Sequence, residues 1–211
     1  MTFPGVFSRM GVLTPNECSR IINCCIPYIQ PSLVGSEGKE NKKLRKSRSV
    51  LITPDDKRFR SISLLIQRSV KAFVECANTA FQYELQGVEA IQFTEYKEGD
   101  YYNWHMDSSA NLPRTASASL ALSPPTDCQG GALLFRDIYE DPEETEKVSI
   151  KICQGEIAVF PSLLVHSVTP VLKGTRYSLV LWSPTPVLDE KQEQNTNQQP
   201  VATHTQSPIV F

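Results

Sequence analysis

An antiparallel β sandwich or barrel backed by helices is the fold class this sequence predicts, and three observations lead there. From Val88 onward the chain breaks into short β-rich runs separated by Gly and Pro signals, the pattern of antiparallel strands joined by turns. Ahead of them lie two stretches with apolar residues at helical spacing. With 211 residues and 40% apolar content, the chain is long enough to bury a real core.

In chain order, Thr14 followed by Glu17 is a capping-box signal, and Ile21, Ile22 and Cys25 share one helical face, so a first helix is expected over 15–29. The next stretch carries Lys39, Lys42, Lys43, Arg45, Lys46 and Arg48 and reads as a solvated basic loop leading into a short strand at Ser49 to Ile52. Pro54-Asp55-Asp56 then marks a turn and helix start. Ile62, Leu65, Ile66, Ser69, Val70, Phe73 and Ala77 continue a second helix to about Phe81, placed to back a sheet.

The runs VEAIQFTEY, ASASLALS, GALLFRD, KVSIKI, EIAVFP, HSVTPV and RYSLVLWS give seven or eight strands. The acidic run Asp137 to Glu146 falls in a strand-to-strand connection and reads as a solvated loop. Beyond Pro186 almost nothing apolar remains, so residues 187–211, including His204, are expected to form a disordered tail. The organisation is thus a helical support region over 1–87, a β core over 88–186, and the tail.

Composition removes several function classes. The net charge is −2, which does not suit a nucleic-acid surface, and no apolar run is long enough to span a bilayer. The first residues lack a basic segment followed by an apolar run, so a cytoplasmic protein without membrane association is expected. The six cysteines show no C-x-x-C pair or repeated spacing and read as reduced thiols.

The chemistry gathers at two places. His105-Met106-Asp107 follows a predicted strand, where residues two apart project to the same face. Such a triplet is common by chance. It gains weight from His166 at a later strand start, with Arg176 ten residues beyond. Two imidazoles and one carboxylate with open positions are the donor set of non-haem Fe(II) oxygenases, and a guanidinium forms the bidentate pair that a buried carboxylate needs.

These segments resemble the Fe(II)/2-oxoglutarate-dependent dioxygenases, and within them the prolyl 4-hydroxylase-like catalytic domain of bacterial PKHD-type hydroxylases. That family's Y-x-x-G-x(5)-H-x-D, S-A-T-L-x-L-S, G-G-E-L, Y-P-S and H-x-V-T-P-V-x-x-G-x-R segments are matched by Tyr96 through Asp107, Ser117 to Ser123, Gly130 to Leu133, Phe160 to Ser162, and His166 to Arg176. They occur in the family's order and spacing over about residues 88–184.

The resemblance implies a double-stranded β-helix, the cupin-like jelly roll, with N-terminal helices on one sheet. It implies that His105, Asp107 and His166 bind Fe(II), that Arg176 binds the far carboxylate of the co-substrate 2-oxoglutarate, and that Tyr96 lines its pocket. The implied reaction hydroxylates an unactivated C–H bond with O2, releasing succinate and CO2, with ascorbate as reductant. A peptidyl proline is the first expected substrate; another protein side chain or a small molecule is the alternative. Two positions depart from the pattern: Ala121 stands where many prolyl hydroxylases carry a tyrosine, so that Ser119 or a water takes its place, and Ala132 replaces an acidic residue.

Other readings are weaker. Nucleic-acid demethylases of the superfamily carry a second arginine where this chain has Trp182. Halogenases lack the carboxylate that Asp107 supplies, and a non-enzymatic jelly-roll binding module would have lost a ligand or the arginine. Trp104 is expected to border the substrate cleft, Trp182 to pack in the core, and Tyr101 and Tyr102 to sit on the loop before the ligands.

Overall fold

The structure is a computed structural model that describes residues 5–33, 41–136 and 147–185. Helix α1 runs Pro15–Cys25. Its capping box is formed: the Thr14 hydroxyl accepts from the Glu17 N–H and the Glu17 carboxylate accepts from the Thr14 N–H. Cys18, Ile21 and Cys25 are buried along one face. The helix is shorter than expected because Pro27, which cannot donate to a continuing helix, lies in a 3-10 turn over Ile26–Tyr28. A second 3-10 segment, Lys57–Ile62, starts from the Asp56 cap and leads into α2, Ser63–Phe81. Helix α2 buries Leu65, Ile66, Val70, Phe73 and Ala77 and ends at Gln82 in the left-handed region.

Thirteen strands are described. Those N-terminal to α2 are β1 (Phe7–Arg9), β2 (Gln30–Pro31), β3 (Arg45–Lys46) and β4 (Arg48–Ile52). After it come β5 (Ala90–Lys97), β6 (Tyr101–His105), β7 (Arg114–Ala121), β8 (Cys128–Gly130) and β9 (Leu133–Arg136). The last four are β10 (Val148–Ile150), β11 (Ile157–Pro161), β12 (Val165–Val168) and β13 (Val171–Pro184).

They form two sheets: a large one in the order β1-β11-β7-β13-β5-β4-β2 with β8 on β13, and a small one in the order β10-β9-β12-β6-β3. All pairings among the named strands are antiparallel. The mainly-β architecture with two supporting helices is thus as expected.

Strand alternation separates two environments. Ile91 and Phe93 of β5 and Leu179 and Leu181 of β13 join the helices in the main apolar core. Their neighbours Gln92, Tyr96, Arg176, Ser178, Val180 and Trp182 line a cavity on the sheet's other face. Tyr96 and Phe160 of the large sheet and Leu133, Phe135 and Val168 of the small one form a second apolar cluster between the sheets.

Three local expectations are corrected. Tyr101 and Tyr102 belong to strand β6, not to a loop. The basic stretch is not wholly solvated, since Arg45 and Lys46 pair with Tyr102 and Tyr101 and Arg45 is buried. Trp182 is buried, as a core residue would be, but it lines the cavity. The acidic run 137–146 and the tail 187–211 lie outside the described residues.

Candidate metal centre

His105 ends β6, and Asp107 lies two residues on, its N–H donating to the Ser162 carbonyl at 2.9 Å. His166 sits in β12 directly opposite His105 in the antiparallel register. Three residues distant in sequence therefore meet because β6 and β12 are neighbours. Their candidate ligand atoms all lie within 4.8 Å of one another.

The orientation of both rings is fixed. His105 Nδ1 donates to the Asn103 carbonyl and His166 Nδ1 to the Leu164 carbonyl, each at 2.8 Å. A carbonyl oxygen can only accept, so in the neutral rings the Nε2 lone pairs are left facing Asp107. Tyr102 stacks on His105 with ring centroids 3.5 Å apart, and Phe160 packs edge-on against His166 at 4.8 Å. The Nε2 atoms stand 3.6 Å and 3.5 Å from the two Asp107 carboxylate oxygens, longer than well-formed hydrogen bonds.

Burial pushes the His166 imidazolium down to about 4, against the pull of Asp107, so the ring is neutral at neutral pH. Burial works against the Asp107 charge as well. His166, His105 and Ser117 outweigh it and hold the carboxyl below the usual range. Asp107 Oδ2 is nevertheless buried without a hydrogen-bond partner. Two aimed nitrogen lone pairs and an orphaned carboxylate oxygen fit a divalent metal with mixed N/O ligands, and no thiolate stands in the cluster.

Arg176 is the second element of the site. It lies opposite Tyr96 in the β13/β5 register, and its guanidinium is 5.5 Å from the Tyr96 ring centre. Its Nη1 and Nη2 donate to Ser178 and Ser119 hydroxyls at 3.1 Å and 3.4 Å. Ser119 thus reaches the arginine from the strand on which Ala121 replaces a tyrosine. Burial lowers the Arg176 pKa, yet a guanidinium remains charged at neutral pH. Among the described residues no carboxylate pairs with it, and a half-buried cation satisfied by hydroxyls alone suits an anionic ligand.

The sequence-predicted residues His105, Asp107, His166, Arg176 and Tyr96 all line one cavity. Arg45, Tyr102 and Gln92 line it too and were not singled out for it. The Arg45 position depends on the β3/β6 pairing, which joins residues far apart in sequence and leaves no periodic mark. Trp104 is not among the residues that line this cavity, and the Arg136 guanidinium lies 4.7 Å from its ring centre.

Residues 91–183 match the family model described as the 2OG-Fe(II) oxygenase superfamily. A PKHD-type hydroxylase from Shewanella baltica is 36% identical over 106 residues, covering 47% of this chain and 45% of that protein. Another from Idiomarina loihiensis is 37% identical over 97 residues, covering 45% and 42%. The chain spans less than half the length of these relatives. In fold it is similar to a Trichoplax adhaerens prolyl hydroxylase solved in complex with a hypoxia inducible factor peptide fragment, with TM-score 0.68, 19% identity, and coverage of 92% of this chain and 88% of that one. A Pseudomonas putida prolyl-4-hydroxylase gives 0.62 and 18%, covering 86% and 94%.

Proposed function

We propose that this chain, whose residues 91–183 match the model of the 2OG-Fe(II) oxygenase superfamily, belongs to that superfamily and hydroxylates an unactivated C–H bond with O2 and 2-oxoglutarate as co-substrates, releasing succinate and CO2. The observation that carries this reading is the pairing of an orphaned Asp107 Oδ2 between two aimed imidazoles with a half-buried Arg176 that pairs with no carboxylate among the described residues.

His105, Asp107 and His166 would hold Fe(II), and Arg176 the far carboxylate of 2-oxoglutarate, with Tyr96 against its chain. Fe(II), when bound, supplies the redox chemistry that couples decarboxylation of 2-oxoglutarate to insertion of one oxygen atom. The chain's own residues orient and shield. The Asn103 and Leu164 carbonyls keep both imidazoles in the ligating tautomer. The Phe135, Phe160 and Leu133 side chains exclude water beside the ligands, which limits side reactions. Arg176 fixes the co-substrate in one orientation through charge-assisted hydrogen bonds.

A prolyl peptide is the proposed substrate. The reading is supported by the PKHD-type relatives and by the peptide-bound prolyl hydroxylase of similar fold. Ascorbate is the proposed reductant for returning iron to Fe(II). The test is succinate release with Fe(II) and 2-oxoglutarate across a panel of proline-containing peptides, with mass spectrometry for the gain of one oxygen. Succinate without any oxygenated peptide removes the prolyl assignment and leaves the oxygenase reading standing.

A further inference from the structure

Arg45 is a second arginine in the same cavity, and it is more deeply buried than Arg176. Only 6% of its surface is exposed. Its Nε donates to Ser47 Oγ at 2.7 Å, and its Nη2 donates to Gln92 Oε1 at 2.8 Å and to Thr94 Oγ1 at 3.4 Å. All three acceptors are neutral. Its guanidinium lies 4.8 Å from the centre of the Tyr102 ring, which in turn stacks on His105. Among the described residues no carboxylate is within ion-pair range of it. Arg114 offers the contrast: it holds Glu89 at 2.6 Å.

A second, independent observation comes from the opposite sheet. Trp182 lines the same cavity, is 7% exposed, and its indole Nε1–H is buried with no acceptor. Arg114 lies 4.3 Å from the centre of its ring, an arrangement that holds the indole in place. Among the described residues, the cavity therefore contains a cation without a counter-charge and an N–H without an acceptor.

Charge balance points the same way. With a divalent metal and the dianionic co-substrate bound, Asp107 and Arg176 bring the cavity to neutrality. Arg45 then leaves one positive charge uncompensated, and a buried uncompensated charge is costly. We propose that the substrate of this oxygenase carries a carboxylate close to the reacting carbon, received by the Arg45 guanidinium and the Trp182 indole N–H. The proposal rests on the functional reading above and narrows it to anionic substrates. A planar guanidinium and one further N–H donor match a carboxylate, whereas a neutral peptide amide would satisfy the indole and leave Arg45 uncompensated.

The test uses side-chain amide NMR of the full chain loaded with Zn(II) and 2-oxoglutarate. The chain has two tryptophans, so Trp182 is identified by the loss of the other indole signal in Trp104→Phe. Acetate and its neutral isostere acetamide are the titrants. The expected result is that the Arg45 Nε–H and Trp182 Nε1–H signals move together and saturably with acetate, and not with acetamide. In Arg45→Gln the Trp182 response should need at least tenfold more acetate.

Where that variant fails to fold, by circular dichroism, Arg45→Lys and the wild-type titration carry the decision. N-acetylproline and N-acetylglutamate α-amide distinguish a main-chain from a side-chain carboxylate by which binds tighter. The proposal is overturned if acetate moves neither signal, if acetamide moves both equally, or if 2-oxoglutarate displaces the acetate. Failure to bind 2-oxoglutarate at all would count against the oxygenase reading instead, and the metal-free titration would still decide for Arg45.

Discussion

His105 and His166 face each other as a directly opposed cross-strand pair of β6 and β12, with ring centroids 4.2 Å apart and both Nδ1 atoms committed to backbone carbonyls two residues earlier. The β ladder, not a loop, sets the spacing of the two imidazoles. Asp107 then needs only to return toward them past the end of β6, held by the Ser162 carbonyl. Sites built on strands hold their geometry better than sites built on loops.

The first prediction follows from this rigidity. His105→Ala, Asp107→Ala and His166→Ala should each lower Fe(II) or Mn(II) affinity by at least about 100-fold, since even outer partners of metal ligands are worth 10 to 100-fold. In the metal-free protein, Asp107→Asn should lower the melting temperature at neutral pH, because the carboxyl is held below its ordinary range by His166, His105 and Ser117 and the fold therefore favours its charged form. Calorimetry for the metal and circular dichroism for the fold check both. Unaltered metal affinity in any of the three alanine variants would remove that residue from the ligand set.

Arg176 gives the second prediction. Its contacts among the described residues are hydroxyls and the Tyr96 ring, so Arg176→Ala removes a cation without stranding a protein carboxylate. It should weaken 2-oxoglutarate binding to the Mn(II) form by about tenfold for every 1.4 kcal/mol lost, and more than it weakens metal binding. Arg176→Lys keeps the charge but not the planar fork and should fall between. Anaerobic titration of 2-oxoglutarate into each variant reads the order directly.

The third prediction concerns Gly174, where β13 turns from β8 toward β5 and β7 with φ of 82°. A Cβ there would collide with the Asp127 carbonyl oxygen. Gly174→Ala should therefore cost about 1–3 kcal/mol of stability, and it should loosen the strand that carries Arg176 two residues later. The check is denaturant unfolding alongside 2-oxoglutarate affinity, both of which should fall.

A fourth prediction tests the capping box. Glu17, held by Arg68 and by the Thr14 N–H, has its carboxyl pulled down to about 2 from an ordinary 4.5. A depressed carboxyl stabilises the fold above its unfolded pKa and loses that contribution as pH falls through its folded one. The deficit of Glu17→Gln should thus be full at neutral pH, shrink below about 4.5, and vanish near 2. Arg68 is nearly half exposed, so the ion pair adds little, and a glutamine can keep the capping hydrogen bond, so the deficit should stay below about 1 kcal/mol. Thermal melts across that pH range measure it.

Much of this was legible in the sequence for a physical reason. Thr14 to Glu17, the apolar spacing of α2, and the alternation in β5, β7 and β13 are local patterns imposed by local geometry. His105, Asp107, His166 and Arg176 stood out through spacing and through resemblance to a known segment order. Arg45 did not, because its burial depends on the pairing of Arg45–Lys46 with Tyr101–Tyr102, a contact between distant residues inside what reads as a basic loop. Tyr101 and Tyr102 read as loop residues because Gly99 and Asp100 are loop formers, yet these form only the tight turn before β6. Trp182 is buried as its type suggests, but the face it lines depends on the position of the small sheet.

The most direct test of the central claim is isotope transfer: the purified chain, Fe(II), 2-oxoglutarate and ascorbate, which supplies the two electrons that reduce the second oxygen atom to water, under 18O2, with mass spectrometry of the succinate formed. One 18O atom per succinate in the wild-type protein, and its loss in Asp107→Ala and Arg176→Ala, is the predicted result. Absence of succinate from the Fe(II)-loaded wild-type protein, or equal labelled succinate from both variants, would contradict it.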